Sequence, residues 1–400
     1  MAEGFVFALA DDLSGAAETA ALLMSSGGAA RIALSGPPYP VGPPVLVADL
    51  DSRHHPRAGD LVREALRHAA GRRVFVKIDS LLRGNVAATA AACLDTPAVL
   101  VPALPAAGRT VVGGVPYVHG VPLRETRAWH AERRPAPASV AAALGATPST
   151  LVPLATVRAG HAALTRALGK AAGRVAVCDA QTDHDLDAIV AAALEACPGT
   201  RLIGAGGLAA ALGRTSPTGT SPTGTPPPLD PPPSSHRPPA GMPLLVVVGT
   251  ADPGAATQAR LLTEHGAATP VPLSTSDLGT PRAAARRVRA ALATAPTVLT
   301  VTVTGPPPPA LTSSLGRIVA DALAGRPAKL VLTGGETARR VLDALAVQEL
   351  RPMAQIHHGA VLSHTPQGHT VVTRPGSFGD RDSLLHIVTH LSDPEPERLT

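Results

Sequence analysis

The sequence predicts an α/β protein with two domains, each built on a mainly parallel sheet flanked by helices. Short apolar runs alternate with Ala-rich segments of helical length along most of the 400 residues. This alternation is typical of parallel sheets that are covered on both faces. A Pro-, Thr- and Ser-rich segment interrupts the pattern, which then begins again. We expect the active site in a cleft between the two domains, where two substrates can meet.

Apolar runs predict six strands in the first half and three in the second. The helix predicted at 61–70 has Leu61, Val62, Ala65, Leu66 and Ala69 at helical spacing. The predicted strands are 5–10, 45–48, 74–78, 98–101, 175–177, 201–204, 244–248, 297–304 and 329–333, and further helices are predicted at 15–24, 255–262 and 337–345. Residues 214–241, with a tandem SPTGT, predict an extended linker between domains at 1–213 and 242–400.

Composition excludes several classes of protein. The formal net charge of +5 invites a nucleic-acid partner, but basic residues are scattered and the aromatic content of 2% leaves few rings to stack on bases. The three cysteines form no C-x-x-C pair, the N-terminal apolar run is too short for a signal peptide, and no run could span a membrane. We therefore expect a soluble cytoplasmic protein with small-molecule partners, no nucleic acid and no membrane.

Two acids, Asp11 and Asp12, follow the first predicted strand. Ligands of open α/β sheets bind at the carboxyl ends of strands, where a carboxylate can accept hydrogen bonds from sugar hydroxyls or take a proton from one. Because successive strand residues point to opposite faces, we expect only one of these acids to face the ligand. The alternative is a helix N-cap beside a solvated acid.

Polar residues also follow the strand at 74–78, in the segment KIDSLLRGN. Arg83 has a planar fork that can grip a carboxylate, and Gly84 would let the backbone approach a ligand closely. The alternative is an exposed turn with a structural Lys77–Asp79 pair. Farther along, residues 101–129 predict a long ordered loop, in which Arg109 either contacts an anion or forms a surface salt bridge.

Glycine turns in the second half suggest a phosphate site. Gly334 and Gly335 lead from a predicted strand to a helix that starts near Glu336, and a helix N-terminus offers free N–H groups to phosphate. A Walker loop is absent. A second turn around Gly376 and Gly379 either completes a nucleotide pocket or is an ordinary connection. The histidine pairs 54–55 and 357–358 lack a third ligand at metal-site spacing, which favours solvated histidines and leaves any metal ligands unidentified.

Seven segments, in this order, resemble the patterns of the four-carbon acid sugar kinase family. They are ADDLSGA (10–16), KIDSLLRGN (77–85), PALPAAGRTVVGG (102–114), DAQTDHDL (179–186), GAGGL (204–208), GGETA (334–338) and RPGSFG (374–379). The matches span both predicted domains and omit the linker. The chain departs from the family pattern at Ser14 and Leu81, where the family has Thr, at Ala338, where it has Ser, and at Arg374, where it has Lys.

The resemblance implies an N-terminal domain that binds a sugar acid and a C-terminal domain that binds ATP, with Mg²⁺ as expected of ATP chemistry. Members phosphorylate the terminal hydroxyl of substrates such as erythronate, threonate or 3-oxo-tetronate and produce the 4-phosphate. By position, Asp12 and Arg83 are the candidate catalytic residues. The candidate substrate-binding residues are Asp11, Asp12, Lys77, Asp79, Arg83 and Arg109, and the candidate nucleotide-binding residues are Thr250, Gly334, Gly335, Glu336, Thr337, Gly376 and Gly379.

Two other functions stay open at this stage. The departures at Leu81 and Ala338 suit a catalytically degenerate member of the family that binds or senses a sugar acid. A nicotinamide-dependent oxidoreductase is disfavoured, because no strand leads into G-x-G-x-x-G with an acid about 20 residues on. The oligomeric state is also open, with a homodimer as the candidate assembly.

Overall fold

The computed structural model describes residues 5–24, 29–40, 42–69, 71–129, 132, 134–215, 241–249, 252–302, 310–376 and 378–392. The chain divides into two compact units, residues 1–224 and 225–400. The last helix of the first unit continues to Thr215, and residues 216–240 of the predicted linker lie outside the described residues. The exact limits of the two domains therefore stay a prediction.

The first unit contains a parallel sheet, its covering helices and a smaller antiparallel sheet. Its elements in chain order are β1 (Val6–Ala10), α1 (Leu13–Leu23), β2 (Ala30–Ala33), β3 (Val45–Asp49), α2 (Ala58–Leu66), β4 (Arg73–Lys77), α3 (Val86–Ala91), β5 (Ala98–Val101), β6 (Arg109–Val112), β7 (Val115–Val118), β8 (Val121–Pro122), α4 (Val140–Leu144), β9 (Ser149–Val152), α5 (Leu154–Val157), α6 (His161–Gly169), β10 (Val175–Cys178), α7 (Asp183–Ala196), β11 (Arg201–Gly204) and α8 (Gly206–Thr215), with 3₁₀ turns at Pro105–Ala107 and Leu123–Glu125.

The strand order of the large sheet in this unit is β2-β3-β1-β4-β11-β5-β10-β9, and all of these neighbours pair in parallel. Every residue of β1 is buried, as expected for a strand whose two faces are both covered by helices. Such strands are continuous apolar runs, so the sequence predicts their positions well. It misses two strands of this sheet, β2 and β9. β9 is an edge strand with Ser149, Thr150 and an exposed Leu151, and an edge strand needs no continuous apolar run.

The Pro- and Gly-rich stretch predicted as a loop contains a small antiparallel sheet, with the strand order β6-β7-β8. Its strands have at most four residues each. They are joined by glycine turns at Gly113, Gly114 and Gly120, which have positive φ angles. Short strands that alternate with glycines lack a clear period in sequence. This explains why the sequence indicates order here but not strands.

The second unit has a mixed sheet with helices on both faces. Its elements are β12 (Leu244–Val248), α9 (Pro253–Glu264), β13 (Thr269–Ser274), α10 (Thr275–Gly279), α11 (Pro281–Leu292), β14 (Thr297–Thr302), α12 (Leu311–Leu323), β15 (Lys329–Thr333), α13 (Gly335–Ala344), β16 (Glu349–His357), β17 (Ala360–His364), β18 (Thr370–Arg374) and α14 (Ser383–Ser392). The strands β13-β14-β12-β15-β18 are parallel, and β17 and β16 continue from β18 as antiparallel strands. The prediction of mainly parallel α/β sheets is confirmed.

The core of each unit consists mainly of Val, Leu and Ala, in keeping with the low aromatic content. In the second unit, one cluster joins β12, β15 and β18 to the inner faces of α9 and α14. Among the described residues, no helix combines the length and the apolar character that crossing a bilayer requires.

Candidate functional site

The carboxyl ends of three neighbouring strands bring the polar segments of the first unit together. Ala10, the last residue of β1, pairs with Asp49 of β3 on one side and with Lys77 of β4 on the other. The segments that follow these strands therefore leave the sheet at the same level. Sequence reasoning found the segments after β1 and β4, and it missed the one after β3, which contains Arg53.

Arg53 joins the two acids that follow β1. Its Nε donates to Oδ2 of Asp11 over 2.8 Å, and one Nη donates to Oδ1 of Asp11 over 2.8 Å. The other Nη donates to Oδ2 of Asp12 over 2.7 Å. One guanidinium reaches both carboxylates because it has donors on several edges. That only one of the two acids faces the ligand stays a prediction.

Asp12 also begins helix α1. Its Oδ1 accepts a hydrogen bond from the backbone N–H of Gly15 over 2.8 Å, which is the standard contact of a helix N-cap. The N-cap alternative is therefore correct for Asp12, but the neighbouring Asp11 is not a solvated acid, because it is buried and both of its oxygens bind Arg53. Burial raises the pKa of Asp11, and the neighbouring Arg53 opposes this shift.

The end of the KIDSLLRGN segment holds the Arg53 loop in place. Nδ2 of Asn85 lies 2.9 to 3.1 Å from the carbonyl oxygens of Ser52, Arg53 and His55. Gly84 has a φ of +81°, and a Cβ there would lie 2.7 Å from Cγ of Arg53. Gly84 thus makes room for Arg53, where the sequence suggested a close approach to a ligand.

Asp79 and Arg83 form a two-point ion pair. Oδ2 of Asp79 accepts from Nε of Arg83 over 2.8 Å, and Oδ1 accepts from one Nη over 2.7 Å. Oδ2 also accepts from the backbone N–H groups of Leu81 and Arg83. Burial acts to raise the pKa of Asp79, but Arg83, Arg53 and Arg109 lower it, and the net result is well below the ordinary value. Asp79 therefore occupies Nε and one Nη of Arg83, the guanidinium that we expected to bind a ligand's carboxylate.

Lys77 pairs with Glu18 and not with Asp79, contrary to the alternative drawn from the sequence. Its Nζ lies 3.2 Å from Oε2 of Glu18, and the two side chains are 6% and 4% exposed. Burial acts to lower the pKa of Lys77, but Glu18, Asp11 and Asp12 raise it, and the net shift is upward. Glu18 was missed from the sequence, although an acid within the apolar helix SGAAETAALL was a usable signal.

Arg109, the first residue of β6, completes this cluster of charges. One Nη of its guanidinium donates to Oγ of Ser80. Burial lowers the pKa of Arg109, and the nearby carboxylates of Asp79 and Glu18 oppose this. We call these groups the charged cluster; its members are Asp11, Asp12, Glu18, Arg53, Lys77, Asp79, Arg83 and Arg109. With four acids and four bases, this arrangement can bind both hydroxyls and a carboxylate.

In the second unit, three parallel strands again end at one level. Val248 of β12 pairs with Thr333 of β15, and Thr333 pairs with Arg374 of β18. Gly334 follows β15 with a φ of +92° and precedes α13. The first N–H groups of a helix have no intrahelical partner and carry partial positive charge. The N-terminus of α13 can therefore bind phosphate oxygens.

Side chains around this helix start approach each other closely. Gly249, directly after β12, lies against Thr337, so that a Cβ at residue 249 would overlap Oγ1 of Thr337. Sequence reasoning missed Gly249. The carboxylate of Glu336 is engaged by α12, because its Oε1 accepts a hydrogen bond from Oγ1 of Thr312 over 2.9 Å. The neighbouring candidate Thr250 lies outside the described residues.

A buried arginine holds the turn after β18 in place through hydrogen bonds. Arg374 is 1% exposed, and its guanidinium donates to the carbonyl oxygen of Phe378 and to side-chain oxygens of Gln258 and Ser383. Gln258 in turn donates to the carbonyl oxygens of Gly379 and Asp380. Arg374, which stands where the family has Lys, therefore directs its donors at the protein's own turn, which also contains Gly376.

The described part of the chain contains no group of three or more His, Cys, Asp or Glu side chains that could hold a metal ion. His357 instead makes a 2.9 Å hydrogen bond with Oγ of Ser383, and His55 accepts from the backbone N–H of Arg57. Mg²⁺ bound with ATP is held largely by phosphate oxygens and water, with one or two carboxylates. A cation held in that way needs no group of three protein ligands.

Comparison with known proteins gave matches in both units. A family model described as a sugar-binding N-terminal domain matches residues 6–212, and one described as a nucleotide-binding C-terminal domain matches residues 245–384. D-threonate kinase of Cupriavidus necator is 33% identical over 411 residues, covering 94% of this chain and 96% of that protein. D-erythronate kinase of Heliobacterium modesticaldum is 37% identical over 207 residues, covering 46% of this chain and 47% of that protein.

A solved structure from Salmonella typhimurium LT2 has a similar fold. Its TM-score is 0.77 at 22% sequence identity, and the match covers 96% of this chain and 98% of that one.

The Asp79–Arg83 ion pair generates a prediction about acid stability. Because the pKa of folded Asp79 lies below its ordinary value, the pair stabilises the fold above about pH 4 and loses this contribution as the pH falls. Asp79→Asn should lower the free energy of unfolding by about 3 kcal/mol at pH 7, and the difference from the wild type should shrink below about pH 4. Urea unfolding followed by fluorescence of Trp129, the single tryptophan, measures this.

Asp60→Asn is the matched control, because the Asp60–Arg63 pair is largely exposed and such pairs contribute little. A difference between Asp79→Asn and the wild type that stays constant from pH 7 to acid pH would contradict the assignment.

Proposed function

We propose that this chain, which belongs to the four-carbon acid sugar kinase family, transfers the γ-phosphoryl group of ATP to the terminal 4-hydroxyl of a four-carbon sugar acid of the threonate or erythronate type. One observation carries the proposal: basic and acidic side chains, joined by Arg53, converge at the carboxyl edge of β1, β3 and β4. A sugar acid offers the complementary groups, a carboxylate and several hydroxyls. The family's kinase relatives and its nucleotide-binding domain support the same reaction class.

Arg83 is the proposed ligand of the substrate carboxylate. Asp79 binds its Nε and one Nη, and the guanidinium has further N–H groups on its remaining edge. The side chain is 27% exposed, so a ligand can reach it. The pairing with Asp79 holds the guanidinium in one orientation before the substrate arrives, which lowers the entropy lost on binding. Lys77 and Arg109 add positive charge around the same anion.

Asp12 is the proposed partner of the attacking hydroxyl. Each of its oxygens already accepts one hydrogen bond, from Gly15 or from Arg53, and each has a second lone pair for a substrate hydroxyl. The two existing bonds fix the plane of the carboxylate. Asp12 can then orient the hydroxyl toward the phosphorus and accept its proton, and phosphoryl transfer depends chiefly on such positioning.

The N-terminus of α13 is the proposed site of the ATP phosphates. Gly334 and Gly335 have no side chains of their own that could cover its N–H groups, and Thr337 has its hydroxyl beside Gly249. Glu336, Gly376 and Gly379 would border the nucleotide. A Mg²⁺ ion carried by the phosphates would neutralise part of their charge. The cleft between the domains stays a prediction.

The two departures that suggested a non-catalytic family member lie in packing positions. Leu81 is buried against Leu123 and Trp129, and Ala338 is fully buried in α13. Neither departure removes a group from the charged cluster. They therefore give no support to a degenerate binding protein over a kinase. The cytoplasmic location and the homodimer also stay predictions.

The test of the proposal is ADP release from ATP with a panel of four-carbon sugar acids. We expect ADP above the no-acceptor background with at least one of them, and a phosphate at carbon 4 in the product by NMR. Sugar-acid binding without ADP release would favour the non-catalytic alternative. NAD, but not ATP, protecting the protein against thermal unfolding would revive an oxidoreductase.

Asp12→Asn should lower kcat by about 10²- to 10⁴-fold and leave the fold intact, because the Asn oxygen can still accept from Gly15 and cap α1. Steady-state ADP release and a circular dichroism melt measure the two effects. Asp60→Asn, on the exposed face of α2, is the matched control and should keep wild-type turnover. Near-wild-type kcat for Asp12→Asn would remove Asp12 from the mechanism.

Thr337→Val should raise the KM for ATP about tenfold, because it keeps the side-chain shape and removes the hydroxyl proposed to bind phosphate. The KM for the sugar acid should not change. Thr294→Val, in the exposed segment after α11, controls for loss of a threonine hydroxyl. If both KM values rise together, the hydroxyl of Thr337 acts on more than the nucleotide.

A further inference from the structure

The small sheet carries Arg109 at one end and a glycine turn at the other. Arg109 is the first residue of β6, and its side chain reaches Ser80 in the segment that contains Asp79 and Arg83. Its backbone is held by Leu104, whose N–H and carbonyl both bond to it. Three residues of β6 lie between Arg109 and Gly113, so the two ends are about 13 Å apart along the strand.

Asp179 holds that glycine turn. Its Oδ2 accepts from the N–H of Gly113 over 2.7 Å, and its Oδ1 accepts from the N–H of Gly114 over 2.8 Å. Oδ2 also accepts from the N–H of Leu154 over 3.1 Å. Asp179 is 1% exposed, so these three bonds satisfy a carboxylate that is otherwise costly to bury. The backbone of Ala180 adds two hydrogen bonds to Val111 in β6.

Asp185, another acid of the segment DAQTDHDL, has a different role. It caps α7 together with Thr182 and forms an ion pair with Arg158. None of these contacts involves the small sheet. Asp179 is therefore directed at the sheet that carries Arg109, and Asp185 is directed at a helix start. The two acids form a matched pair for experiment.

We propose that Asp179 is a positioning residue for the sugar acid, because its carboxylate fixes the Gly113–Gly114 turn and thereby the place of Arg109 in the charged cluster. The inference rests on the proposed function. The backbone bonds of β6 to Leu104 and Ala180 remain when the Asp179 contacts are lost. Loss of these contacts therefore loosens the strand at its turn, and the guanidinium of Arg109 is no longer held at a fixed place beside Ser80. The anion then loses one positioned positive charge, while the groups proposed for ATP stay unchanged.

Trp129 provides a readout that does not depend on turnover. It is the single tryptophan of the chain, and its Nε1 donates to the carbonyl oxygen of Leu81 over 2.8 Å. Its ring packs with Leu81 and with Leu123, which directly follows β8. Trp129 thus contacts both the segment that contains Asp79 and Arg83 and the end of the small sheet, so its fluorescence should change when a sugar acid binds.

The experiment compares Asp179→Asn with Asp185→Asn in the full chain. Asp179→Asn should raise the KM for the sugar acid about tenfold, with kcat and the KM for ATP close to wild type. Asp185→Asn should lower the melting temperature and leave the KM for the sugar acid unchanged. An unchanged KM for Asp179→Asn, or an equal rise in both variants, would overturn the inference.

A double-mutant cycle tests whether Asp179 acts through Arg109. In an Arg109→Ala background, Asp179→Asn should add little further to the KM for the sugar acid, because the group that it positions is gone. Multiplication of the two single effects would show that they are independent and would contradict the inference. If Asp179→Asn fails to fold, Gly113→Ala replaces it: residue 113 has a φ of +60° and no atom within 4 Å of an added Cβ, so only the turn is disturbed, and the same rise in KM is expected.

Failure of the proposed function is recognised separately. If the wild type releases no ADP with any sugar acid, the cycle is repeated with Kd values for threonate from Trp129 fluorescence. A Kd that is tenfold higher in Asp179→Asn than in the wild type, and unchanged in Asp185→Asn, then supports positioning in a binding protein. Equal Kd values for Asp179→Asn and the wild type overturn it. A wild type with neither turnover nor a fluorescence response overturns both proposals.

Discussion

The contact between Arg53 and the paired acids Asp11 and Asp12 is the interaction on which the candidate site depends. Two carboxylates at the buried end of a strand cost several kcal/mol each unless they are paired and hydrogen-bonded. One guanidinium meets this need for both, because its donors lie on different edges. The Arg53 loop is itself held by Gly84 and Asn85, so part of KIDSLLRGN serves to place a residue from another segment.

Residues of the seven motifs divide into those that can meet a ligand and those whose polar groups bind only other parts of the protein. Asp12, Arg83 and Thr337 belong to the first kind under the proposed function. Arg374, Asp185 and Asn85 belong to the second, because their polar atoms are directed at the protein's own backbone and side chains. A motif match therefore predicts a family more securely than it predicts the role of any one residue within the motif.

The two units use the same principle at their sites. In each, neighbouring parallel strands end in register, and the segments that follow them supply the polar groups. The first unit places charged side chains there, which suits a small acid with several hydroxyls. The second places glycines and a helix N-terminus there, which suits phosphate oxygens because backbone N–H groups need no side chain to deliver them. The contrast follows from the chemistry of the two proposed ligands.

The sequence alone determined the α/β class, half of the strands that the structure describes, and the family. The two family models and a 33% identical relative confirm the family. Strands buried on both faces are continuous apolar runs, and motif spacing is local, so both can be recognised along the chain. Only the tertiary structure decided which charges pair. Arg53 meets Asp11 from 42 positions away, and Asp179 meets Gly113 from 66. No local pattern encodes such contacts, because they arise when the sheet brings separate strand ends to one edge.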